Sequence, residues 1–232
     1  MSSRSSGFFV TGTDTDVGKT LAACALLRAL GASGLRVIGM KPVAAGGDTI
    51  GGRLVNADVA ALMAESNVQA PAELVNPYCF AQPIAPHIAA ALAGVSIDLG
   101  RIGSAYDALA ARAECVVVEG AGGFRVPLGA RVDTADLAAS LGLPVVLVVG
   151  MRLGCLNHAI LTAAAIRAAG LALAGWVANH IDRDMMYADE NVAAIAERLD
   201  APLIARIPFL HSPDAAHAAG LLDVGSLRAK SS

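Results

Sequence analysis

Gly12-Thr13-Asp14-Thr15-Asp16-Val17-Gly18-Lys19-Thr20 is the stretch that decides the fold. A short apolar run, 8–11, leads into it, and an Ala/Leu-rich run with helical periodicity, 21–30, leads out. Strand, glycine-rich turn and helix start are the context of a phosphate-binding loop. The first N–H groups of a helix have no partner within it, so they can bind phosphate oxygens. Gly18 lets the backbone approach closely, Lys19 can reach terminal phosphate oxygens, and the Thr20 hydroxyl is placed for Mg2+. Five residues separate Gly12 from Gly18, one more than in the general pattern.

Outward from this loop, apolar runs at 36–40, 115–119, 144–149, 175–178 and 203–207 predict further strands. Helical stretches fall at 57–64, 102–112, 135–141, 157–169 and 189–199. The run Val145-Val146-Leu147-Val148-Val149 is apolar throughout, as a parallel strand covered on both faces requires. The alternation predicts an α/β fold: a doubly wound, mostly parallel sheet with helices on both faces. Residues 1–232 are expected to form one domain, with a core of about 7–210 and a weakly structured tail. A Gly-rich segment at 44–52 and a segment at 71–86 with four prolines read as long loops, and such loops tend to be functional.

Lys41 directly follows the second strand, where ligands of an open parallel sheet collect. Beside Lys19 it would supply a second cation for a transferring phosphoryl group. Glu119 ends an apolar strand and precedes Gly120-Ala121-Gly122-Gly123, the placement of a metal-holding carboxylate beside a phosphate loop. Asp58 opens a helix, as either a carboxylate facing the helix dipole or a third oxygen donor with Thr20 and Glu119. Asn157 reads as a helix N-cap, and the free N–H groups of 154–157 could hold a carboxylate. Asn179-His180-Ile181-Asp182 partly matches a base-reading signature, which assigns Asn179 to a purine contact and leaves His180 on the surface.

The formal charge of −3 and the lack of adjacent Lys or Arg exclude a basic footprint for nucleic acid or an anionic membrane. No run approaches the ~18 apolar residues of a membrane span. Cys24, Cys79, Cys115 and Cys155 form no C-x-x-C pair and read as reduced thiols in a cytoplasmic protein. The polar start at 1–7 carries no signal-peptide pattern.

Together these motifs resemble the dethiobiotin synthetase family. The resemblance is carried by the nine-residue loop in its lengthened form, Lys41-Pro42-Val43-Ala44, Val75-Asn76-Pro77-Tyr78 and Pro86-His87. It continues through Val118-Glu119-Gly120-Ala121-Gly122-Gly123, Leu153-Gly154-Cys155-Leu156-Asn157-His158-Ala159 and Gly175-Trp176-Val177-Ala178-Asn179. It implies a homodimer that uses Mg2+ and ATP to carboxylate 7,8-diaminopelargonic acid with CO2, or bicarbonate as its source. The products would be dethiobiotin, ADP and phosphate, formed through a carbamate and a carbamic-phosphoric anhydride. It further implies Lys41 and Lys19 as catalytic lysines and Thr20, Asp58 and Glu119 as metal ligands. Nucleotide contacts would come from Asp16, Val17, Gly18, Lys19, Thr20, Asp58, Glu119, Gly120, Ala121, Gly122, Asn179, His180, Pro208, Phe209 and Leu210. Substrate contacts would come from Thr15, Lys41 and Ala45, with Gly154, Cys155, Leu156 and Asn157 reaching across the subunit interface. Asp16 stands where some relatives have Glu, Ala45 where a hydroxyl residue is common, and His180 where some have Asp.

A partition or cell-division switch ATPase is the alternative of related fold. It would carry an extra lysine early in the loop, and Thr13-Asp14-Thr15-Asp16 has none. A GTP-binding regulator would need Lys at position 180. A cofactor amidase with a glutaminase domain would need a longer chain.

Overall fold

A computed structural model describes residues 6–227. The chain runs β1 (Ser6–Gly12), α1 (Lys19–Ala32), β2 (Val37–Met40), β3 (Val43–Ala45), β4 (Asp48–Ile50), β5 (Arg53–Val55), α2 (Ala57–Glu65), α3 (Ala72–Val75), β6 (Tyr78–Phe80) and α4 (Pro86–Leu92). It continues α5 (Leu99–Ala110), β7 (Cys115–Gly123), α6 (Thr134–Leu141), β8 (Val145–Met151), α7 (Cys155–Ala168), β9 (Leu173–His180), α8 (Ala188–Leu199), β10 (Leu203–Ile207) and α9 (Ala215–Ala219).

Six strands form the central sheet in the order β10-β9-β8-β1-β7-β2, and all neighbouring pairs are parallel. The doubly wound architecture expected from the sequence is the one observed. β1 is the switch point: the chain winds from it toward β2 and β7 on one side and β8 to β10 on the other. Binding sites of open parallel sheets form at that position.

Side chains alternate across the sheet. Val145, Leu147, Val149 and Met151 of β8 pack into one core with Val116 and Val118 of β7 and residues of α5 to α8. Val146 and Val148 join Cys115, Val117, α1 and α9 in the other. Both faces are thus covered by helices, which is why these strands lack an apolar–polar alternation. Each fully buried Val or Leu here contributes about 1.5–3 kcal/mol.

Two segments expected as loops are partly built. Within 44–52, β4 forms an antiparallel hairpin with β5, turning through Gly51 (φ 57°) and Gly52 (φ 79°). Paired glycines at positive φ suit a two-residue hairpin turn. Within 71–86, α3 and β6 form, and β6 pairs with β3. The pattern-poor segment past His211 builds α9, which packs on α1 with Ala218 fully buried. The expected frayed end lies outside the described residues. Among the described residues no helix is long and apolar enough to cross a membrane.

β2 forms one edge of the sheet, yet its outward N–H groups are taken. Val37 N–H donates to Asn67 Oδ1 at 2.7 Å, Gly39 N–H to Ser66 Oγ at 2.9 Å, and Lys41 N–H to the Val75 carbonyl at 2.9 Å. The Val37 carbonyl accepts from Val68 N–H at 3.3 Å, and that of Lys41 from Asn76 Nδ2 at 2.6 Å.

Candidate active site

The phosphate loop leaves β1 through a backbone that only some residues tolerate. Asp16 has φ 58° and Gly18 has φ 89°, both left-handed. Glycine adopts this freely and Asp at modest cost, and successive turns of this kind aim N–H groups into a concavity. Lys19 is buried, and its Nζ donates to the Asp14 carbonyl at 2.9 Å. Arg152, following β8, pairs with the Asp14 carboxylate at 2.5 Å and ties the loop's outer rim to the neighbouring strand.

The register of the sheet sets the second cation. Met40 pairs with Val118, so Lys41, just past the end of β2, and Glu119, within β7, lie opposite each other. Lys41 Nζ donates to Glu119 Oε1 at 2.5 Å and to Asp58 Oδ2 at 2.9 Å. Asp58 reaches it from the first turn of α2, whose start is fixed by Asn56 accepting from the N–H groups of Asp58 and Val59. Thr20 Oγ1 donates to the same Glu119 Oε1 at 2.8 Å. Glu119 is fully buried, and its Oε2 has no hydrogen-bond partner.

The two lysines differ electrostatically. Burial lowers the pKa of Lys19, and the charge of Lys41 lowers it further against the pull of Glu119, Asp58 and Asp16. Burial also opposes the charge on Lys41, but the charges of Glu119 and Asp58 and their hydrogen bonds outweigh it, so its pKa is raised. For Asp58, burial pushes the carboxyl up, yet Lys41, with hydrogen bonds from Lys41 and Thr20, brings it below the usual value.

These groups line a cavity of about 840 Å³. Of the residues singled out from the sequence, Thr15, Asp16, Gly18, Lys19, Thr20, Lys41, Ala45, Asp58, Glu119, Ala121 and Gly122 all face it. Its remaining wall is apolar: Val43, Val126 and the run Pro83 to Pro86. Val43 and Pro86 belong to motifs visible in the sequence, though not as cavity wall, whereas Val126 has no sequence signal.

The other candidates lie elsewhere. Val17 is buried beneath the loop. Asn179 pairs in register with Ile207, which places Asn179, His180 and the Pro208–Leu210 segment together at the ends of β9 and β10. Asn179 Nδ2 donates to the Val17 carbonyl at 2.8 Å. Burial and the charge of Arg206 lower the pKa of His180, against the nearby Asp189. Phe209 meets His211 edge-on at 5.4 Å. Gly154, Cys155, Leu156 and Asn157 do not line this cavity. Asn157 is not the N-cap of α7; Gly154, with φ 95°, takes that place and turns the chain so that Cys155 N–H bonds the Arg152 carbonyl.

The four cysteines are free thiols. Burial pushes Cys24 and Cys115 up to about 12, so neither is a nucleophile near neutral pH. The chemistry available is therefore that of two clustered cations, a phosphate loop and a set of hard oxygen donors.

Residues 6–217 match the protein family described as AAA domain. The chain is 55% identical to a protein from Aromatoleum aromaticum named ATP-dependent dethiobiotin synthetase BioD, over 93% of this chain and 96% of the relative. A protein of the same name from Nitrosospira multiformis is 52% identical over 95% of this chain and 96% of its own length. Among solved structures, a ParA family ATPase from Chlorobium tepidum superposes with a TM-score of 0.56 at 15% identity, covering 94% of this chain and 90% of that one. The MinD cell division protein of Aquifex aeolicus gives a TM-score of 0.55 at 15% identity, covering 92% and 85%. At that identity the two structures share the fold and no more.

Proposed function

The chain belongs to the dethiobiotin synthetase family, and from that premise we propose that it uses ATP to close the ureido ring of dethiobiotin on 7,8-diaminopelargonic acid and CO2. ADP and phosphate are the other products, and the step belongs to biotin synthesis. The observation that carries this reading is the pairing of Lys41 with Asp58 and Glu119 in one cavity with Lys19 and the phosphate loop.

One amine of the substrate bonds to CO2 and gives up a proton, leaving a carbamate. A carbamate oxygen attacks the γ-phosphorus of ATP, the bond to ADP breaks, and a carbamic-phosphoric anhydride results. The second amine then attacks the carbamoyl carbon, loses a proton, and expels phosphate as the ring closes. Carbamate and γ-phosphate are both anionic, so their approach needs flanking positive charge, which Lys19 and Lys41 provide. Thr15 and Ala45, which line the same cavity, would contact the substrate. The apolar wall of Val43, Val126 and Pro83 to Pro86 suits a methylene chain and keeps water from the anhydride.

The donor set fits Mg2+. Thr20, Asp58 and Glu119 offer hard oxygens, and Glu119 Oε2 is a buried acceptor without a hydrogen-bond donor. These three side chains would hold the ion, and phosphates and water would complete the oxygen shell that Mg2+ prefers. When bound, Mg2+ supplies charge neutralisation at the terminal phosphates. Asn179, His180 and Pro208, Phe209 and Leu210 are the purine side of the nucleotide site, with Gly120 to Gly122 passing along its phosphates.

The enzyme works as a homodimer in the cytoplasm. Gly154 to Asn157 bind the substrate carboxylate for the partner's cavity. This reading is supported by the exposure of Gly154 and Asn157 beside Leu153, which is 95% exposed, while Cys155 is buried and anchors the turn. Mixing inactive Lys41→Ala protomers with inactive Asn157→Ala protomers should therefore restore activity, since some mixed dimers regain one intact site. A mixture that stays inactive would place each site within one chain.

The decisive assay incubates the protein with ATP, Mg2+, bicarbonate and 7,8-diaminopelargonic acid. Dethiobiotin and ADP that both depend on the diamino acid are the expected result. ADP released without it would favour a nucleotide switch of the same fold.

A further inference from the structure

Asn179 stands near the end of β9, two strands from the phosphate loop, and its side chain must pass β8 to reach it. Its register partner on β8 is Gly150. A Cβ at Gly150 would lie 2.7 Å from Ile181 Cδ1 and 2.8 Å from Val17 Cγ1, so only glycine lets β9 and the loop close together there. Asn179 is 5% exposed, and its Nδ2 donates to the carbonyl of Val17 at 2.8 Å. The same nitrogen lies 2.1 Å from where a Cβ on Gly18 would be. The amide therefore packs directly on the peptide unit that joins Val17 to Gly18.

In a trans peptide the C=O and N–H point in opposite directions. A carbonyl of Val17 held toward Asn179 aims the N–H of Gly18 the other way, and Gly18 lines the cavity. This peptide needs such a restraint. Gly18 is at φ 89°, and glycine allows a peptide flip that a bulkier residue would resist. Flipped, the unit would present a carbonyl oxygen to the phosphates in place of a donor.

We propose that Asn179 is a positioning residue that latches the Val17–Gly18 peptide in its phosphate-binding orientation, a role separate from any contact with the base. Gly150 is the gap that admits the latch. The proposal rests on the loop being the ATP site.

The test is calorimetric titration of Mg-ATP and of inorganic tripolyphosphate, which has no base, into the wild type and Asn179→Ala well below their melting temperatures. Loss of the hydrogen bond with the carbonyl left buried should weaken both ligands by a similar factor, about tenfold. ATP weakened with tripolyphosphate unchanged would overturn the proposal and make Asn179 a base contact alone. Both unchanged would overturn it as well, because a role confined to folding lowers the melting temperature without moving phosphate affinity. If Asn179→Ala does not fold, Asn179→Asp keeps the shape and removes the donor, and the same outcomes apply. A wild type that binds neither ligand would refute the ATP site itself, whereas wild-type binding with unaltered variants refutes only the latch.

Discussion

The exits of β1 and β2 each deliver a lysine to the same cavity, yet the two are held in opposite ways. Lys41 is clamped by two carboxylates, and its charge is reinforced. Lys19 is held by one backbone carbonyl of its own loop, and its charge is disfavoured. A cation with a single neutral acceptor exchanges that acceptor for a phosphate oxygen at little cost. A cation between two carboxylates remains in place while the ligand arrives. The difference assigns Lys19 to capture of the nucleotide and Lys41 to the charge that develops during transfer.

The comparison breaks first at Lys41. Lys41→Ala should lower kcat by roughly 10²–10³-fold while ATP affinity stays near the wild-type value, the behaviour of a group that acts in the transition state. Near-normal turnover would remove it from the catalytic set. Lys19→Ala should show the opposite split, with ATP binding weakened about 10- to 100-fold, as loss of a charge-assisted contact predicts. Titration of ATP into both variants checks the pair directly. Glu119→Gln should raise the Mg2+ concentration needed for half-activation by roughly tenfold, about 1.4 kcal/mol. An unchanged Mg2+ titration would exclude Glu119 as a metal ligand.

The smallest effect concerns pH. Lys41 has a raised pKa, so its contribution to stability is full below the unfolded value of 10.5 and is lost as pH rises through the folded value. Lys19 has a lowered pKa, so its protonated form costs stability, and that cost is relieved as pH rises toward 10.5. On an alkaline titration Lys19 loses its proton first. ATP affinity should therefore decline by a few-fold below 10.5 in the wild type and stay flat in Lys19→Met. A decline that persists in Lys19→Met would assign it to another group.

Much of this site was legible before the fold was known, because it is built from strand ends. Lys41 and Glu119 follow apolar runs immediately, Lys19 closes the glycine-rich loop after β1, and a parallel sheet brings those positions together. Asp58 was ambiguous because a carboxylate in the first turn of a helix has a local reason to be there. Only the packing of α2 beside β2 shows that it meets Lys41. Strand lengths were underestimated where glycines continue the ladder: β7 was expected to end at Glu119, yet Gly123 still pairs with Gly12. The α7 cap was misplaced because Asn157 suits an N-cap, while the backbone turns earlier, at Gly154. The β4–β5 hairpin has a sequence signal in its paired glycines, Gly51 and Gly52, but its three-residue strands are too short to show an apolar alternation. Wall residues such as Val126, and the bond from Asn179 to Val17 across 162 positions, depend on tertiary packing and leave no local trace.

The sealed edge of β2 bears on how copies of this protein can assemble. An uncovered edge offers a ladder of donors and acceptors on which a neighbouring chain can lay a strand, whether to build a continuous intermolecular sheet or to aggregate. Here Asn67, Ser66, Val68, Val75 and Asn76 already occupy that ladder. Two copies cannot join there by sheet extension without first breaking internal bonds. Contacts on that flank then fall to side chains, and the strand that leads into Lys41 keeps its internal bonds.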